Sequence, residues 1–366
     1  MKWVSTHYKP VRGFIFFYVS FILIVVIHIR LNENSFEYKT HTQEASISTS
    51  AQYVDVSSAP EQKTNIRLLF VGDIMLGRHV EKLTEVYGLS YPFSVLRQYI
   101  TSFDYAIANF ESAVPHTHVP TPSGTMRFSV PATTLMGMKN VGFDILSIAN
   151  NHSFDYGDDG LRATRLSCID ADIVCVGDPT SVLYSDAQII ETGTGVRVGI
   201  LPIHAVWSYP KESAQVALLK LSEKTDMQFV YVHWGNEYEL THSSKQEAFA
   251  HALIDAGADA IVGHHPHVVQ DVGMYKGVPI FYSLGNFVFD QYFSDEVQEG
   301  AMLTVHLSAS TTTFSVVGVE SRSARSQPRL MLPDGQTRLL ERIFLSISND
   351  AGVNSHLGTI VTSHVP

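Results

Sequence analysis

The sequence is short of charge and of cysteine, and each shortage narrows what the chain can be. Only 17% of its 366 residues are charged, whereas 45% are hydrophobic and 11% aromatic. Such a chain can bury a sizeable core, so a wholly disordered polypeptide is excluded. Lysine and arginine number 25 against 36 acids, and no basic stripe occurs. A nucleic-acid partner is therefore not expected. The two cysteines, Cys168 and Cys175, form no zinc-type pattern. They read as small buried hydrophobes in preference to a disulfide. No cysteine precedes Cys168, which argues against a lipoprotein anchor, and there is no internal repeat.

One long apolar run does occur, GFIFFYVSFILIVVIHI from Gly13 to Ile29. At ~1.5 Å per residue it makes a helix near the lower limit for a bilayer core of ~30 Å. Val11 and Leu31 can lengthen it. The following Arg30-Leu31-Asn32-Glu33-Asn34 offers no small-residue cleavage site, so residues 13–31 are expected to be an uncleaved transmembrane anchor. Lys2, Lys9, Arg12 and Arg30 face no acid within the first thirty residues. The net charge of −11 thus divides into +4 there and −15 beyond. That asymmetry keeps residues 1–12 in the cytoplasm and puts the globular domain outside, making a single-pass cell-membrane protein. Residues 32–64, rich in Ser, Thr, Gln and Asn, read as a flexible linker.

From Ile66 onward, short apolar strands alternate with amphipathic helices. Strands are expected at Ile66–Val71, Tyr105–Ala108, Asp144–Ile148, Asp172–Val176, Val196–Leu201, Phe229–His233, Ala260–Val262 and Pro279–Leu284. Helices are expected near Val80–Tyr87, Asp158–Asp170 and Ser243–Ala256. The alternation predicts an α/β fold with layered sheets. Ala301–Leu307 and Thr313–Val319 alternate polar with apolar, as antiparallel strands do. The domain is placed at 65–320. A C-terminal extension, 321–366, has no clear pattern.

Polar residues cluster immediately after these strands, where layered α/β folds build binding sites. Asp73 follows the first strand in VGDIMLG, where Gly72 permits close backbone approach. Asn109 and Glu111, in ANFES, follow the second and share a face. Asn151 and His152 follow the third in IANNHSFDYG, while Asp155, Asp158 and Asp159 suit the turn and helix start. His233 ends a strand in VHWGNEYE, with Glu237 within reach. His264, His265 and His267 crowd GADAIVGHHPHVVQ, and three imidazoles in four positions are poor core filling. Gly285 and Asn286 stand at a further strand end in IFYSLGNFVFDQ. Asn109, Glu237, His264 and Asn286 are assigned to substrate contact.

In this order the six motifs resemble the CapA-type poly-γ-glutamate capsule synthesis proteins, over roughly residues 66–307. That family is similar to the calcineurin-like metallophosphoesterases. The resemblance implies a four-layer α/β/β/α sandwich with one or two divalent metal ions at the strand ends. It implies Asp73, Glu111, Asn151, His233, His265 and His267 as metal ligands and His152 as the catalytic histidine; a site that holds no metal would leave Asp73 and His267 as a catalytic acid/base pair. Two departures stand out. The phosphoesterase signature Asp-x-His is here Asp73-Ile74-Met75, and Glu111 takes the place of an aspartate.

The expected function is biosynthesis, processing or export of poly-γ-glutamate or a related anionic, peptide-like polymer by metal-assisted hydrolysis or transfer. The partner expected is a membrane capsule synthase or export complex. The alternatives are a metal-dependent phosphodiesterase or phosphatase, and a non-catalytic anchor of the synthase. A body carrying −15 repels a polyanion at long range, so the site needs local positive compensation from metal, histidines, or residues such as Arg78 and Arg127.

Overall fold

Alternate side chains of the first strand enter two different cores, and this divides the molecule into layers. Leu68 and Phe70 face a second sheet, while Leu69 and Val71 face helices. The computed structural model describes residues 65–363 except 123, 194 and 309. The expected anchor at 13–31 and linker at 32–64 lie outside the described residues, among which no helix is long and apolar enough to cross a membrane.

In chain order the first elements are β1 (Ile66–Ile74), α1 (Arg78–Tyr87), α2 (Arg97–Ile100), β2 (Tyr105–Phe110), α3 (Thr133–Asn140), β3 (Ile145–Ser147) and α4 (Gly157–Asp170). There follow β4 (Val174–Val176), β5 (Gln188–Glu191), β6 (Arg197–Ala205), α5 (Lys211–Ser222), β7 (Met227–Trp234), α6 (Ser244–Ile254) and β8 (Ala260–His264). Next come β9 (Val272–Tyr275), β10 (Val278–Phe281), β11 (Asn286–Val288), β12 (Glu299–Leu307) and β13 (Thr311–Glu320). The last are β14 (Arg329–Leu330), α7 (Pro333–Ile343), β15 (Val353–Asn354) and β16 (Thr359–Ser363).

One sheet runs β15-β16-β13-β12-β1-β2-β3-β4, with β11 beside β1 and β14 beside β13. The other runs β5-β6-β7-β8-β10-β9. Phe70 stacks on Phe229 across the interface, ring centroids 5.5 Å apart, and Tyr231 Oη donates to the Val71 carbonyl at 2.8 Å. Outside the first sheet lie Val80 of α1, Leu135 and Met138 of α3, and Leu161 of α4. Outside the second lie Leu218 and Leu221 of α5 with Phe249 and Leu253 of α6. The layers are therefore helix, sheet, sheet, helix. Each large buried side chain contributes about 1.5–3 kcal/mol, which makes the sheet–sheet face a main source of stability.

In both sheets the parallel strands point their C-terminal ends the same way. β1 lies parallel to β2 and β11, with Asp73 opposite both Asn109 and Asn286. β7 lies parallel to β6 and β8, with His233 opposite His204 and His264. The polar strand ends are thereby gathered at one edge.

Two differences from expectation have local causes. Cys168 and Cys175 are bonded, with Cα atoms 6.0 Å apart, so the reading as two free core hydrophobes is corrected. α4 ends in a reversal: Ile173 N–H donates to the Cys168 carbonyl and Asp172 is left-handed (φ 54°). This folds β4 back onto the helix, which a spacing of seven residues does not reveal. The segment after residue 320 also joins the sheet. β16 pairs with β13, and α7 inserts Leu339, Leu340 and Ile343 into the sheet–sheet core. Its strands are short and half-exposed, so no period marks them.

Replacing both cysteines by alanine should lower stability by about 2 kcal/mol, the effect of releasing a short closed loop. Urea unfolding of the variant beside the parent checks this, and an unchanged midpoint would contradict it.

Candidate metal centre

Asp73 lies at the end of β1, fully buried, and its carboxylate collects donors from several strands. The Asn109 amide donates to Oδ1 at 2.7 Å, and the His265 backbone N–H donates to Oδ2 at 3.2 Å. His267 Nδ1 stands 3.3 Å from Oδ2. β1 reaches this place only because residue 72 is glycine. A Cβ there would come within 2.0 Å of the Gly285 carbonyl oxygen.

The remaining groups close around it. The Asn109 amide also donates to His233 Nδ1 at 3.2 Å, so His233 carries its proton on Nε2 and donates to Asn151 Oδ1 at 2.7 Å. Asn286 Oδ1 accepts from His267 Nδ1 at 3.0 Å. His267 Nε2 lies 3.8 Å from Glu111 Oε1. His265 and His267, either side of Pro266, both hold left-handed backbone (φ 95° and 58°). Strain of this kind costs on the order of 1–3 kcal/mol per residue and persists where a site over-determines it.

Two trios of ligand atoms result, Asp73–Glu111–His267 and Glu237–His265–His267, each within 4.8 Å and sharing His267. Glu111 is fully buried, yet neither carboxylate oxygen has a hydrogen-bond partner among the described residues, and His265 Nδ1 has none either. A buried carboxylate without donors is costly, and a cation is the compensation its oxygens can accept. Mixed carboxylate, amide and imidazole donors suit a divalent ion. The residues present therefore fit a metal.

The electrostatics agree. Burial pushes the Glu111 carboxyl well above its ordinary range, opposed by His267 and reinforced by Asp73. Burial opposes ionisation of Asp73 too, but the hydrogen bond and charge of His267 outweigh it and hold that carboxyl low. For His267 burial disfavours the charge, and the Glu111 and Asp73 carboxylates overcome it, raising the imidazole to about 9. Burial lowers His265 to about 3 and His264 to about 4.

Above the centre opens a cleft of about 530 Å³, whose lining includes Phe128, His152, Glu237, Tyr238, His267 and Phe289. His152 stacks on Phe128, and its Nδ1 bonds Asp155 Oδ2 at 2.9 Å. Its Nε2 is left 3.7 Å from Glu111 Oε1. Of the four residues expected at substrate, only Glu237 lines the cleft. Asn109 and Asn286 are buried and orient ligands, and His264 lies behind Asp73 against Tyr231.

Sequence reasoning passed over two residues. Asn150 is fully buried and ties its loop together: its amide reaches Asn109 Oδ1 and the Phe110 carbonyl, while its Oδ1 accepts from His152 N–H and from Ser153. Asp155, read as a turn residue, holds the His152 ring and accepts from Phe128 N–H. The His-x-x-Asp spacing was its available signal. Arg78, expected to supply positive charge, is neutralised by a salt bridge to Asp290. Arg127 lies over the Tyr156 ring and donates to the Asp155 carbonyl.

Fold and site together define an α/β protein of two facing sheets with a histidine–carboxylate cluster that fits a metal at the shared strand ends. Residues 67–291 match the family model described as bacterial capsule synthesis protein PGA_cap. The chain belongs to this capsule synthesis family, and its likeness to CapA-type proteins is shown. It is 32% identical to the capsule biosynthesis protein CapA of Bacillus anthracis, over 73% of this chain and 70% of that protein. It is also 32% identical to the PGA biosynthesis protein CapA of Bacillus subtilis (strain 168), over 71% of this chain and 72% of that protein. Among solved structures, TT1561 of Thermus thermophilus aligns at TM-score 0.39 and 11% identity, covering 66% of this chain and 94% of that one.

Metal uptake should release protons, because His267 must shed the proton it keeps below about 9 before it can act as a ligand. Affinity for Zn²⁺ or Mn²⁺ should therefore rise between pH 7 and 9, by roughly tenfold per unit. Calorimetric titration in buffers of different ionisation heat checks both the slope and the proton count. A flat profile would contradict the assignment of His267.

Proposed function

We propose that the chain is a membrane-tethered capsule synthesis protein that acts outside the cytoplasm on poly-γ-glutamate or a related anionic polymer. The reaction assigned is metal-assisted hydrolysis or transfer at the polymer's amide bonds. One observation carries this reading: in a chain of the capsule synthesis family, Glu111 lies below an open cleft with both oxygens lacking a protein donor. The name of the Bacillus subtilis relative, a PGA biosynthesis protein, points to the polymer.

Asp73, Glu111, Asn151, His265 and His267 would hold the ion, with Glu237 beside them; both ring nitrogens of His233, expected as a further ligand, are engaged by Asn109 and Asn151. When bound, a divalent ion supplies Lewis acidity toward an amide carbonyl or phosphoryl oxygen and lowers the pKa of water to ~7. The chain's own contribution is proton handling and orientation. Asp155 fixes His152 through Nδ1, and the Phe128 ring restricts it, leaving Nε2 to exchange a proton with a reacting group in the cleft. Asn109 and Asn286 hold His233 and His267 in their ring positions.

A tether at residues 13–31 and an exported body agree with the Cys168–Cys175 bridge, since disulfides persist in oxidising compartments. A capsule synthase or export complex in the same membrane is the partner proposed. A plain phosphoesterase is less well supported. Met75 stands where that signature carries histidine, and its sulfur accepts the Gly77 N–H at 3.1 Å within the helix-side core.

The test is to purify the full chain, measure bound metal, and follow the length of poly-γ-glutamate chains with time. Asp73→Asn should lose most of the metal and the activity. His152→Ala should keep the metal while its rate falls about 10²-fold or more. Equal activity of Asp73→Asn and the parent would overturn the catalytic reading and leave a non-catalytic anchor in its place.

A further inference from the structure

A polyanion approaching this cleft meets Glu237 and Asp290 on its walls, and Arg78 is already spent on Asp290. The cleft has another cation, Arg325, contributed by a segment beyond the 67–291 stretch that the family model matches. Arg325 is exposed, and its guanidinium lies over the Tyr292 ring, 4.8 Å from the centroid. Among the described residues it forms no ion pair. The backbone that carries it is held on several sides. Ser326 is fully buried in left-handed conformation (φ 54°). Its hydroxyl donates to the Phe289 carbonyl at 2.9 Å and meets Tyr292 Oη at 2.6 Å. The Gln327 amide donates to the Tyr91 carbonyl at 2.9 Å and to Ser94 Oγ at 3.1 Å.

We infer that Arg325 is a carboxylate-recognition residue of this cleft, positioned by Tyr292 and Ser326 to bind an α-carboxylate of the polymer. The inference rests on the polymer reading above. Three features carry it. A planar guanidinium takes a carboxylate with two parallel N–H···O bonds. The Tyr292 ring restrains the guanidinium without neutralising it. The backbone that carries Arg325 is already fixed in the free protein, so less conformational entropy is lost when a carboxylate binds. A repeating γ-linked glutamate chain offers one such carboxylate per residue. Arg325 thus adds an unpaired positive charge to the wall of the cleft, beside that of His267.

The experiment compares binding of a fluorescent γ-linked glutamate decamer with the same decamer amidated at its α-carboxylates, by anisotropy, to the full chain. Arg325→Ala should weaken binding of the acid decamer about tenfold and leave the amidated one unchanged. Arg325→Gln should behave alike, and Arg325→Lys should recover part of the loss. Lys276→Ala removes the same charge in the β9–β10 turn, at the end of the sheet away from the centre, and should change neither. If Arg325→Ala keeps the parent's preference for the acid decamer, the inference is overturned while the polymer reading stands. If the parent binds neither decamer, the polymer reading fails and the inference fails with it.

Discussion

A carboxylate with no access to solvent, Asp73, stands where the two sheets meet, and its burial constrains everything around it. An uncompensated charge there would cost several kcal/mol. The compensation comes from separate parts of the chain: the Asn109 amide on β2, the His265 backbone after β8, and the His267 ring. None of these can move without exposing the cost. The ends of β1, β2 and β8 are therefore held in mutual register by one group, and the Tyr231 hydroxyl on the Val71 carbonyl clamps the same level of the sandwich. The absence of a side chain at residue 72 completes the arrangement by letting β1 pass the Gly285 carbonyl.

Around that carboxylate the polar residues fall into two kinds. Glu111, Glu237, His265 and His267 bring ligand atoms together. Asn109, Asn150, Asn286 and Asp155 do not; they fix rings and loops through amide and carboxylate hydrogen bonds. The second kind matters because a ligand set has value only when its rings are held in one orientation and one tautomer. His152 illustrates the point: without Asp155 at its Nδ1, which nitrogen faces the cleft would be left undecided.

The departures from the phosphoesterase pattern take physical form here. Met75 turns its sulfur to the Gly77 amide and packs with the helix-side core, so no imidazole stands at that position. Glu111 is one methylene longer than aspartate and extends into the centre with both oxygens free of protein donors. The ligand atoms that come together here are those of carboxylates and of the His265–His267 pair, which the left-handed backbone on either side of Pro266 presents.

Much of this was legible in the sequence, because strand period and polar punctuation are local properties. The apolar runs of β1, β7 and β8, the alternation at β12 and β13, and the polar clusters after these strands all follow from side-chain period and burial. Asp73, Glu111, Asn151, His152, His233, His265 and His267 could be singled out as candidate site residues from those strand ends and from the family likeness that the motifs carry. Composition also settled that the body is acidic and that a bound polyanion needs a local positive group. Which group supplies it was a tertiary matter. Arg78 looked available and is consumed by Asp290, whereas Arg325 lies in a stretch with no pattern and reaches the cleft only because Ser326 and Gln327 are tied to distant residues. The same holds for the Cys168–Cys175 bond and for His264, which sits behind Asp73 while its neighbour His265 faces Glu237 and His267. Sequence order determines which residues end the strands. Only the packing of one sheet on the other decides which of them meet, because those contacts join positions far apart in the chain.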